Sequence, residues 1–133
     1  MAVAALTERT TNQVLIDQET LQGTWMTISG RRQAELLFAG HHFTMRFLDG
    51  DLYMGRFTLS PDGTPKVMEM HIDEGPDNHR GKVARCLYDL ATDALRWCAP
   101  EPGSAERLGC FPAVHDRHYL TLLFRREQPQ PRG

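Results

Sequence analysis

From residue 23 to residue 126 hydrophobic side chains tend to recur at every second position, the period of a β-strand with one buried face. The alternation is cleanest at residues 42–47, where Phe43, Met45 and Phe47 share one face and His42, Thr44 and Arg46 the other. Asp49-Gly50 then marks a hairpin into the run at 52–59, and Pro61-Asp62-Gly63 marks the next turn. Residues 66–72 alternate again, with Met68, Met70 and Ile72 opposed to Val67, Glu69 and His71. Further strands are predicted at 25–29, 35–38, 83–90, 95–98 and 119–126, with a weaker one near 107–111. Ala91-Thr92-Asp93 joins the 83–90 and 95–98 runs into a hairpin.

Only the stretch before residue 23 follows a different period. Asn12 offers an N-cap, Val14, Leu15 and Leu21 form a partial apolar face, and Gly23 stands where a helix ends, so residues 12–22 read as a short helix. Eight or nine strands with short, turn-rich connections and no later helix leave no room for the crossovers that parallel strands need. An antiparallel meander of that length must close or stack to hide its edges. The expected fold is therefore all-β: a single antiparallel up-and-down barrel of about eight strands with a short N-terminal helix. The domain is expected to occupy residues 12–127, between a flexible N-terminus at 1–11 and a flexible tail at 128–133.

Composition narrows the function classes. With 133 residues the chain can bury one real core without staples. Fifteen Lys and Arg against 17 Asp and Glu, a net charge of −2, argue against a nucleic-acid footprint. No apolar run approaches the roughly 20 residues of a membrane helix, and the opening Met1 to Leu6 is too short for a signal-peptide core. The expected location is cytoplasmic, and a homodimer stays open. Cys86, Cys98 and Cys110 are odd in number and match no paired zinc spacing, so they read as free thiols. The adjacent His41 and His42 point to opposite faces of any strand, and His115 and His118 fall in a loop. Neither a metal nor another cofactor is expected.

Leu21-Gln22-Gly23-Thr24-Trp25 is the first specific signature: a helical turn, then Gly-x-Trp on the first strand. Phe124-Arg125-Arg126 places basic residues at the end of the last strand, about 100 residues later. This pairing resembles the lipocalins and the wider calycin superfamily, which implies that Trp25 plugs one barrel end while Arg125 or Arg126 lies across its ring. The chain is also similar, over most of residues 21–126, to a bacterial family of small uncharacterised lipocalin-like domains. Gly55 to Leu59, Glu74-Gly75-Pro76, Leu87 to Leu90 and Leu95 to Cys98 carry that resemblance. The family implies a fold and little function. The chain departs from it at Ala91-Thr92, where an Asp-Gly turn is usual, and that leaves the register of the 83–98 hairpin open.

Trp25, Arg125 and Arg126 are thus expected to close the barrel rather than bind a ligand. Methionines and aromatics across the strands suit an apolar interior of irregular shape. The ligand candidates are Phe57, Met68, Met70 and Trp97 for apolar contact, with Tyr88, Arg85, Glu69 and His71 as polar anchors. For Glu69 and His71 everything turns on register. With the Met68 face inward they are solvated; with the other face inward they form a carboxylate–imidazole pair in the cavity. No nucleophile elbow and no phosphate loop is present. Three functions follow. The first is a barrel that binds a small, largely hydrophobic molecule. The second is a cofactor-free cyclase or isomerase working in the same cavity, of the kind found in natural-product biosynthesis. The third is a protein-interaction domain with a filled barrel and active rim loops at 73–80 and 99–106.

Overall fold

A computed structural model describes residues 2–113 and 116–127, with residues 2–11 as backbone only. Helix α1 (Ala2–Leu21) is followed by eight strands: β1 (Gly23–Ser29), β2 (Ala34–Ala39), β3 (His42–Phe47), β4 (Leu52–Ser60), β5 (Lys66–Glu74), β6 (Val83–Leu90), β7 (Ala94–Ala99) and β8 (Leu120–Arg126). Each strand pairs antiparallel with its sequence neighbour, and β1 pairs with β8, so the sheet closes into an up-and-down barrel of calycin-like architecture.

Two expectations change. The helix starts at Ala2 rather than Asn12, so Asn12 lies inside it and residues 2–11, expected to be flexible, continue it. The weak strand near 107–111 does not form: the described residues between β7 and β8 contain no strand. Val114, His115 and the tail 128–133 lie outside the described residues. Among the described residues no helix is long and apolar enough to cross a membrane.

The register of the 83–98 hairpin pairs Leu87 with Cys98, Tyr88 with Trp97 and Leu90 with Leu95. Ala84, Cys86 and Tyr88 consequently face inward, as do Leu95, Trp97 and Ala99, and all are buried. On β5 the inward row is Met68, Met70 and Ile72. Gly55 lies where β4 and β5 shift register, and a Cβ there would come within 1.8 Å of the His71 carbonyl oxygen. Only glycine permits that approach.

Outside the barrel, Leu87, Cys98 and Thr121 form a row across β6, β7 and β8 that is buried although it faces away from the interior. Beside this row, Phe111 of the β7–β8 connection lies under the Arg96 guanidinium at 4.0 Å.

Up-and-down connectivity sends alternate turns to opposite ends. One end carries α1 and the turns at residues 40–41, 61–65 and 91–93. The other carries the segments at 30–33, 48–51, 75–82 and 100–119.

The helix end is solid. Trp25 is fully buried; its indole N–H donates to the Leu21 carbonyl at 2.8 Å, and the Arg126 guanidinium lies 4.3 Å above its ring. Arg126 also donates to the carbonyls of Thr20, Gln22 and Thr92, tying the last strand to the helix terminus and the β6–β7 turn. Arg125, the other residue expected to cover Trp25, points outward and is exposed. The cause is strand alternation, which gives only one of two consecutive residues to the interior.

Candidate functional site

The opposite end of the barrel is hollow. A cavity of about 260 Å³ opens among three of the loops there, those at 30–33, 75–82 and 100–119, with Phe43, Met45, Phe47, Met70, Ile72 and Trp97 among the apolar residues of its wall. Its room has a plain source. Ala84 and Ala99 face inward on β6 and β7 with only a methyl group each. At the helix end the same layer of the barrel is taken by Trp25, Leu36, Phe38, Met68, Leu95 and Phe124, all 1% exposed or less. Apolar cavities of about 150 Å³ accept benzene, so on that scale this one takes a molecule of roughly ten non-hydrogen atoms.

The rim is polar and organised. Tyr53, inward on β4, places its hydroxyl 2.7 Å from Nδ1 of His79 in the β5–β6 loop. Nε2 of the same ring donates to a Glu101 carboxylate oxygen at 2.6 Å, from the β7–β8 connection. The two rings also stack, with centroids 5.8 Å apart. Tyr53, His79 and Glu101 all border the cavity. Burial, reinforced by the nearby Asp51 carboxylate, pushes the Tyr53 phenol up from its ordinary value, so it keeps its proton at neutral pH. Arg32 stacks on Phe47 at 3.7 Å and is shared between Asp49 and Asp51, each 2.9 Å away. These contacts tie the β1–β2 turn to the β3–β4 turn beside Tyr53. Arg31 donates to the Tyr119 carbonyl, and Arg117 and His118 border the cavity from the β7–β8 side.

The residues singled out in the sequence separate into three groups. Met70 and Trp97 stand in the cavity wall. Phe57, Met68 and Tyr88 face inward but belong to the packed half. Tyr88 is 1% exposed and donates to Asp17 of α1 at 2.7 Å; Lys66 Nζ reaches the same carboxylate at 3.0 Å. The phenol is therefore a tie between helix and barrel, and burial with the Asp17 carboxylate pushes it well above its usual range. Glu69, His71 and Arg85 face the outside of the barrel, where Arg85 pairs with Glu69 at 3.0 Å, half exposed. Because Met68, Met70 and Ile72 take the inward positions, the period of two leaves the outer face to Glu69 and His71, and they form no cavity pair.

Tyr53, His79 and Glu101 lie 26 and 22 residues apart, two of them in loops, and no spacing in the sequence marks them as a motif. The one available hint was Tyr53 on the alternating β4 run, in phase with Phe57.

Among the described residues the Trp97 indole N–H meets no nitrogen or oxygen acceptor and lies against the neighbouring Cys86 sulfur, to which it donates. Burial pushes that thiol well above its ordinary value, which leaves it a small apolar group rather than a nucleophile. The chain matches no protein-family model, no curated protein and no solved structure.

Proposed function

We propose that this protein is a lipocalin-like binding barrel that takes a small, largely hydrophobic molecule into its open end. The observation that carries the reading is the unequal filling of the interior: one half is packed tight, while the other keeps about 260 Å³ walled by apolar side chains and ringed by polar ones. Ligand sites combine an apolar wall with a few placed polar groups. The Arg126 guanidinium over Trp25 is the closure that the resemblance to the lipocalins implies. A cytoplasmic location belongs to the same proposal.

The hollow open half weighs against a solid barrel that works through its rim alone. A cofactor-free isomerase or cyclase is the second reading, and the Tyr53–His79–Glu101 chain favours it, because an imidazole between a phenol and a carboxylate is suited to proton transfer.

The test is a thermal-shift and calorimetric screen with bicyclic probes of that size, such as indole, 1-indanone and 1-naphthol. A ligand at 100 times its Kd adds about 2.7 kcal/mol of stability, which raises Tm by several degrees. A screen in which no such probe moves Tm overturns the reading.

A further inference from the structure

Donors and acceptors along the rim chain constrain the ligand itself. An exposed carboxylate only accepts hydrogen bonds, so His79 Nε2, 2.6 Å from Glu101, carries a hydrogen in either charge state of the ring. A neutral imidazole has a single N–H. With that hydrogen on Nε2, Nδ1 is a bare acceptor and the 2.7 Å contact must be the Tyr53 hydroxyl donating to it. The phenol proton is then committed to His79, and the Tyr53 oxygen offers the cavity only lone pairs. Adding one proton to the ring reverses this. Nδ1–H donates to the Tyr53 oxygen, and the phenol O–H is released to donate elsewhere.

We propose that the Tyr53–His79–Glu101 chain sets the hydrogen-bond polarity of the cavity mouth. It selects a ligand bearing an O–H or N–H donor while His79 is neutral, and a ligand bearing a carbonyl-type acceptor once His79 is protonated. The inference rests on the cavity being a binding site and adds the chemistry of the ligand's polar end.

The surrounding charges leave this logic intact. Arg32, opposite, is shared between Asp49 and Asp51. On the His79 loop Arg80 is paired with Asp77, and the Asn78 amide nitrogen, 3.4 Å from Nε2, is itself a donor and cannot take the Nε2 hydrogen from Glu101. Arg117 and His118 border the cavity from the β7–β8 connection, and His118 is the second titratable ring there.

The test is calorimetry with indole, a donor only, and 1-indanone, an acceptor only, at about pH 8 and about pH 5. The ratio of indole to 1-indanone affinity is expected to fall about tenfold from the higher pH to the lower. It should become independent of pH in Tyr53→Phe and persist in His118→Gln. Nitrogen NMR of the unmodified protein gives a readout that needs no variant. Nε2 should be protonated and Nδ1 bare at the higher pH, with both protonated at the lower. A ratio that ignores pH while both probes bind overturns the inference and leaves the binding reading standing. The inference is equally overturned if Nδ1 carries the proton in the neutral ring, or if the pH response disappears with His118. Should neither probe bind while 1-naphthol does, the polarity inference fails alone; if all three fail, the binding reading falls with it.

Discussion

The two ends of this barrel are built from the same eight strands and differ in what fills them. At the helix end, Trp25 is wedged between Leu21 and Arg126, and Tyr88 is tied through Asp17 to α1 and Lys66. Every polar atom in those contacts has its partner within the protein. At the loop end the inward positions on β6 and β7 are alanines, and the ordered polar groups gather at the rim. The contrast separates two uses of one architecture. Close packing gives stability, and a gap in packing gives a place for a guest at the expense of the contacts its wall would otherwise make.

Substitutions at the two ends should therefore give opposite results. The largest effect is expected from Trp25→Ala, which empties the packed end and removes the seat of Arg126. It should lower stability by about 3–5 kcal/mol in urea unfolding. A loss below about 1 kcal/mol would deny that this end carries the fold.

Asp17→Ala comes next, because it strands Lys66 and the buried Tyr88 hydroxyl together; a loss of about 2–3 kcal/mol is expected by the same measurement. The Tyr88 tie also has a pH signature. Its phenol is raised in the folded protein by burial and by Asp17, so the folded state keeps a proton that the unfolded chain gives up near pH 10. That stability is fully present below about pH 10 and declines as the pH rises beyond it. Urea midpoints between about pH 8 and pH 11 should fall, and Tyr88→Phe should flatten the decline.

At the open end Ala84→Phe places a ring in the cavity. Stability should move by less than about 1 kcal/mol, since the added ring enters vacant space. Calorimetric binding of the bicyclic probes should be lost. If the probes still bind, they bind elsewhere. Smallest of all is the pair on the outer face: Glu69→Ala or Arg85→Ala should cost less than about 1 kcal/mol and leave probe affinity unchanged.

Much of the fold was legible because alternation is a local property. The Phe43, Met45, Phe47 row and the Met68, Met70, Ile72 row announce strands with one buried face, and the turn residues between runs announce antiparallel neighbours. The Trp25 closure was legible through the lipocalin resemblance carried by Gly-x-Trp on the first strand and the basic pair at the end of the last. Which of Arg125 and Arg126 reaches the ring was not, since that depends on the phase of β8 against β1. The site was legible only in its wall. Met70 and Trp97 carry the apolar signal of any inward residue, but the same signal belongs to Phe57, Met68 and Tyr88 in the packed half.

Sequence alone determined much of the architecture here: strand number to within one and antiparallel order follow from period and turn chemistry, closure answers the need to hide sheet edges, and the Trp25 plug came from the resemblance to the lipocalins. It did not determine which end of the interior stays open, because cavity space is the difference between wall and filling summed over every strand at one height. It did not determine the Tyr53–His79–Glu101 chain either. Those three residues meet because alternate loops of an up-and-down barrel converge on one rim, and only closure of the sheet brings β4, the β5–β6 loop and the β7–β8 connection within hydrogen-bond reach.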